Sequence, residues 1–115
     1  MGASDDFKAR VVQLILDGRV EEALDILSAF YRTSKPRVRV GVVKGRCQGI
    51  YGLYDPAHST IYISRGDYLR DPLTVLHEFY HHLRYKDGKH RGNERYAERF
   101  AREYVEAHMR LHRTM

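Results

Sequence analysis

Asp71-Pro72 and Asp87-Gly88 frame one stretch of this chain as a single helix, because an aspartate N-cap followed by proline opens a helix and glycine closes it. Inside that frame stands His77-Glu78-Phe79-Tyr80-His81, an H-E-x-x-H sequence. A helix turns once in about 3.6 residues and rises about 1.5 Å per residue, so His77 and His81 leave one face about 6 Å apart along the axis. Two imidazoles so placed can converge on one metal ion at about 2.0 Å each. Glu78, about 100° round the helix, can reach water on that ion without ligating it, as a general base would. The competing reading is a solvated histidine-rich face, since the chain holds seven His.

Leu73, Leu76, Phe79, Tyr80 and Leu83 form the buried side of this helix, and His82, offset from His81, points away from the ion. A basic loop, Lys89-His90-Arg91-Gly92, leads to a last helix from about Asn93 to His112, with Tyr96, Ala97, Phe100, Ala101, Tyr104 and Val105 inward. A catalytic zinc site takes three protein ligands plus water, so two His need a third. Glu94 is the preferred third ligand, since it lies in the first turn of the last helix with Glu98 one turn later on the same face. Glu98 then hydrogen-bonds a ligating His and fixes its tautomer. Asp87, His90 and Glu98 are the rival ligands, and Arg84 stands where a ligand at Asp87 requires a glycine turn. Without a metal, Glu94 is a helix-start acid favoured by the dipole.

Ahead of the motif, Ser4 caps a helix with Phe7, Val11, Leu14 and Ile15 on one stripe, and Gly18 ends it. A second helix, Val20 to Tyr31, carries Ala23, Leu24, Ile26, Leu27 and Phe30, and the two form a helical hairpin whose role is packing. Lys35-Pro36 breaks the helical pattern. Three strands follow, Arg37 to Val43, Gln48 to Tyr54 and Thr60 to Ser64, joined by the turns Lys44-Gly45-Arg46 and Asp55 to Ser59. The expected fold is α+β in a single domain: helical hairpin (1–34), three-stranded antiparallel meander (35–64), then a two-helix site (71–112). Gly49 and Gly52 permit a bulge or a close backbone approach. His58 is a turn residue, and Arg65-Gly66-Asp67 a loop.

At 115 residues the chain has room for one domain and no separate regulatory module. No apolar run reaches the 18 or so residues of a membrane span and the start lacks a signal-peptide layout, so the expected location is cytoplasmic. Cys47 is the only cysteine, which excludes an internal disulfide and a multi-cysteine zinc site. The net charge of +5 favours acidic partners, but Glu and Arg alternate along the last helix, which reads as a self-paired face. Few Asn, Gln and Cys with 30% charged residues point to a thermophilic source.

From Arg37 to Val105 the order of strands, His77-Glu78-x-x-His81 and Glu94-x-x-Ala97-Glu98 resembles the gluzincin zinc peptidases, whose last ligand is a glutamate on a second helix. The size is similar to that of their minimal soluble forms, the minigluzincins. Their second-helix pattern is Glu-x-x-x-Asp, so Glu98 departs by one methylene. The resemblance implies zinc on His77, His81 and Glu94, Glu78 as general base, and peptide or unfolded protein as substrate along an edge of the sheet. The oxyanion needs one further donor, for which Tyr54, Tyr85, His90 and Arg91 are candidates. A latent state, with the tail His108 to Met115 folded over a neighbouring surface, is a further expectation. The alternative is a basic domain that binds nucleic acid or a protein partner, with a structural metal or none.

Overall fold

The computed structural model describes residues 2–41, 51–88 and 93–113. Four helices, α1 (Asp5–Leu16), α2 (Val20–Tyr31), α3 (Pro72–Asp87) and α4 (Glu94–Arg113), surround a sheet of β1 (Arg37–Val40), β2 (Gly52–Asp55) and β3 (Thr60–Ile63).

The helices begin and end where local chemistry places them. Ser4 Oγ accepts from Phe7 N–H at 3.2 Å, and Asp5 and Asp6 occupy the positive end of the α1 dipole. Gly18 takes φ 81°, and the Arg19 N–H returns to Leu14 C=O at 2.8 Å. Asp71 accepts from Leu73 N–H at 3.3 Å and from the Thr74 hydroxyl at 2.6 Å, while Gly88 closes α3 at φ 74°.

The sheet is mixed, with order β1-β3-β2, and not the expected antiparallel meander: β1 runs parallel to β3 with Val38 opposite Ile61, and β2 runs antiparallel with Tyr54 opposite Ile61. The reason is the composition of the strands. β3 is the most apolar, with Ile61 and Ile63 fully buried, and takes the centre. Arg37 and Arg39 make β1 an edge strand, and the hairpin at Asp55–Ser59 leaves β2 the other edge. In that turn Asp55 Oδ1 accepts from Ala57 N–H at 3.0 Å and Oδ2 contacts His58 Nδ1 at 2.7 Å. The expected second strand is shorter than Gln48–Tyr54 at its described end, since Tyr51 lies outside β2. The expected turn at Lys44-Gly45-Arg46, together with Val42, Val43, Cys47 and Gly49, lies outside the described residues.

The core joins both helical layers to the sheet through Val11, Ile15, Leu24, Leu27, Ile61, Leu76, Phe79 and Tyr104. α1 packs on α2 and, over a longer stretch, on α4. Arg110 forks onto Asp5 at 3.0 and 3.2 Å, and His108 Nε2 meets Gln13 Oε1 at 2.9 Å. Residues His108–Arg113 are therefore the last turns of α4, tied to α1. Several cations are paired with nearby carboxylates: Arg19 with Glu22, Lys35 with Glu21 and Asp25, Arg99 with Glu103. Among the described residues no helix is long and apolar enough to cross a membrane.

Candidate metal centre

α3 and α4 meet along one seam, and the site lies at the end where α4 begins. Asn93 Oδ1 accepts from Tyr96 N–H at 3.1 Å, which makes Asn93 the N-cap and Glu94 the first helical residue. Phe100 holds the seam, with ring centroids 5.3 Å from Tyr80 and 6.5 Å from Phe79. The small, buried Ala97 and Ala101 leave room for close approach. Glu94 thereby reaches across to the histidine face of α3.

His77, His81 and Glu94 come together, each offering one ligand atom and all within 4.8 Å of one another. Glu94 Oε2 hydrogen-bonds His77 Nε2 at 2.5 Å, and Oε1 lies 3.0 Å from His81 Nε2. That second contact lacks hydrogen-bond direction, so His81 Nε2 is a buried nitrogen with no hydrogen-bond partner. An unsatisfied buried polar atom costs about 1–3 kcal/mol, and a metal ion in front of a lone pair removes that cost. Burial lowers the His81 pKa, outweighing the opposing pull of the Glu94 carboxylate, and so favours the neutral imidazole, the form that ligates a metal. Tetrahedral ligation at about 2.0 Å sets ligand atoms about 3.3 Å apart, so Glu94 has to withdraw from His77 by under ~1 Å. Its side chain is 70% exposed and can do so. Two nitrogens and a carboxylate oxygen fit a borderline divalent ion, and this group could hold one.

Glu78 lies beside the ligands and is only 8% exposed. Burial, and then the Glu94 carboxylate, push its pKa from 4.5 up to about 8. β2 is close above it. A Cβ on Gly52 would stand 3.1 Å from Glu78 Cγ, 3.2 Å from Thr74 Cγ2 and 3.3 Å from Tyr62 O, so a side chain there would press on the carboxylate stem. The ligands and Glu78 open onto a cleft of about 800 Å³, walled by Tyr51, Leu53, Leu73 and Tyr85 and, on α4, by Glu98 and Arg102.

Three expectations change against this geometry and one holds. Glu98 ion-pairs with Arg102 at 2.5 Å one turn on, and not with a histidine, because both side chains are exposed on the outer part of the face they share. Leu73 is 47% exposed at the cleft mouth and not buried. Tyr54 Oη bonds His82 Nδ1 at 2.8 Å, while His82 Nε2 meets Ser34 C=O at 2.7 Å. A carbonyl only accepts, so Nε2 carries the proton, Nδ1 accepts, and Tyr54 spends its single proton on His82. Tyr54 lines the cleft with its proton engaged in this bond, and Tyr85 is the other described candidate in the cleft lining. His82 does point away from the ligand triad, but into the core, where it is fully buried. The Asp87 side chain, His90 and Arg91 lie outside the described residues.

No family model matches the chain, and no curated protein or solved structure matches it. The reading of the site therefore rests on its own chemistry.

Arg102 joins the cleft without a sequence motif to mark it, and Gly52 with only a weak one. Arg102 was within reach of helical spacing, at eight positions from Glu94 and four from Glu98. Gly52 gave only the general signal of a close backbone approach. Since Glu98 pairs with Arg102 and touches no ligand, Glu98→Ala is expected to leave metal affinity within about twofold and to cost at most ~0.5 kcal/mol of stability, the usual worth of such a helical pair. Competitive metal titration and thermal melts check both.

Proposed function

We propose that this chain is a zinc-dependent peptidase of the gluzincin kind, acting on extended peptide or unfolded protein. The observation that carries the reading is the His81 nitrogen, buried and without a hydrogen-bond partner, facing Glu94 and His77 next to the buried Glu78 carboxyl. His77, His81 and Glu94 would hold the ion. Zinc, when bound, supplies a Lewis acid for a carbonyl oxygen and brings the pKa of coordinated water down to about 7.

Glu78 takes a proton from the attacking water at a carboxylate oxygen and passes it to the departing amine nitrogen. A nearby cation favours the ionised carboxylate and offsets the burial that raises its pKa. β2, an edge strand beside the cleft among the described residues, would offer backbone groups to an extended chain, which supports a peptide substrate. Tyr85 lines the same cleft, which supports it as the donor toward the developing oxyanion.

Zinc-loaded wild type and Glu78→Gln are compared on an unfolded protein substrate. The variant is expected to keep its zinc and lose activity by about 10²–10⁴, the range of general acid–base catalysis. Equal rates would sink the assignment of Glu78. Salt-steep nucleic-acid binding indifferent to a chelator, with no hydrolysis, would replace the reading by that of a binding domain.

A further inference from the structure

We infer that His82, which touches no ligand of the metal centre, is a positioning residue of the site: through Tyr54 it fixes where the edge strand β2 rests on α3, and so where Gly52 meets Glu78. The inference rests on the role proposed above for Glu78.

The two elements share a ruler. Glu78 and His82 are one turn apart on α3, about 6 Å along the axis, and residues 52 and 54 point to the same side of β2, about 6.7 Å apart. The repeats nearly match, so β2 lies along α3 with Gly52 against Thr74 and Glu78 and with Tyr54 on His82. Apolar contact between a short strand and a helix tolerates sliding. Gly52 in particular has no side chain to lock into a groove. A directed hydrogen bond does not tolerate sliding, and the 2.8 Å bond from Tyr54 to His82 is a polar tie between these two faces.

His82 is itself held from the other side. Its Nε2–H donates to the Ser34 carbonyl in the link between α2 and β1, which fixes the tautomer and aims the Nδ1 lone pair at Tyr54. The ring is wedged edge-on against Tyr54, with centroids 5.4 Å apart, and lies 5.9 Å from Phe79. A leucine could fill a fully buried helix position, but could not define a direction. An imidazole with both nitrogens engaged joins α3, β2 and the α2–β1 link at one point.

Loss of the tie frees β2 to shift along α3, and Glu78 then loses the wall that confines its side chain. Of the metal ligands, His77 and His81 are on the neighbouring face of α3 and Glu94 is on α4, and none of them touches this tie.

Tyr54→Phe removes the hydroxyl at nearly constant volume. Three readouts are taken on the full chain: zinc affinity by chelator competition, hydrogen exchange of the β2 amides in the zinc-loaded protein, and kcat and KM on unfolded protein. The expected result is zinc affinity within about threefold of wild type, β2 exchange faster by about tenfold against an unchanged α3, and kcat lower by about tenfold with KM little moved. Gly52→Ala, which displaces Glu78 Cγ without touching the tie, is expected to reproduce the fall in kcat with β2 exchange unchanged. Unchanged β2 exchange in Tyr54→Phe would overturn the inference and leave His82 a satisfied core histidine. A parallel loss of zinc affinity would overturn it too, because His82 would then act on the ligands. If the wild type shows no hydrolysis, the peptidase reading fails, while the exchange measurement still decides whether His82 ties β2 to α3.

Discussion

Zinc added to metal-free protein at 1,000 times its Kd is expected to stabilise the fold by about 4 kcal/mol, a rise in melting temperature of about 15 °C for a domain of this size. The stabilisation arises because the folded chain gathers His77, His81 and Glu94 from two helices, and the unfolded chain does not. His77→Ala, His81→Ala and Glu94→Ala are each expected to weaken zinc binding by at least about 100-fold, more than the 10- to 100-fold typical of residues that only orient a ligand. The three differ without metal. His81 is largely buried and its removal leaves a cavity, whereas Glu94 is mostly exposed and its loss costs the metal-free fold little. Glu94→Ala is therefore the cleaner test, with chelator competition as the measurement. Zinc held by Glu94→Ala as tightly as by wild type would pass the third-ligand role to Glu98, Asp87 or His90.

The parts of this fold that could be read in advance are those written in local chemistry. Asp71-Pro72 and Gly88 punctuate α3 whatever surrounds it, and Arg19 and Arg32 bound α2 at the positions where the apolar period fails. The convergence of His77, His81 and Glu94 was legible for a related reason: helical spacing fixes two of them, and a capped helix start delivers the third. Strand order was not legible. A four-residue strand such as Arg37–Val40 shows by alternation which side chains turn inward, but its partner is decided by competition for the centre of the sheet, which Ile61 and Ile63 win for β3. Side chains at element ends escaped for the opposite reason. Phe30 and Leu73 obey the helical period, yet each is at least 40% exposed, Phe30 stacked on Phe7 at 4.7 Å and Leu73 at the cleft mouth. Tyr54 shows the limit most plainly, because its hydroxyl was open to several partners until tertiary packing placed the His82 lone pair in front of it.

Without metal, the stability of the fold is expected to fall between about pH 6.5 and pH 8, and Glu78→Gln is expected to abolish that fall. Burial and the Glu94 carboxylate raise the Glu78 pKa from 4.5 to about 8, so between those values the folded chain holds a proton that the unfolded chain has released. Stability contributed in this way is fully present below 4.5 and is lost as pH rises through the folded value. His81 and His82 act in the opposite sense. Their pKa values are lowered by burial, so their penalty for folding is felt at acid pH and disappears as pH rises through the ordinary histidine value of 6.5. Below 6.5 the two effects oppose each other, and above it Glu78 acts without them. At 1.36 kcal/mol per pH unit for one proton, the interval from 6.5 to 8 amounts to about 2 kcal/mol, or about 8 °C in melting temperature. Glutamine keeps the shape of the side chain and has no proton to lose, so its melting temperature should stay level across the interval and exceed that of wild type at pH 8. Zinc should flatten the wild-type profile as well, because a divalent cation at His77, His81 and Glu94 favours the ionised Glu78 in the folded state and removes the excess proton. Parallel slopes for wild type and Glu78→Gln in the metal-free state would mean that Glu78 is ionised in the fold, with water reaching its carboxylate despite its burial.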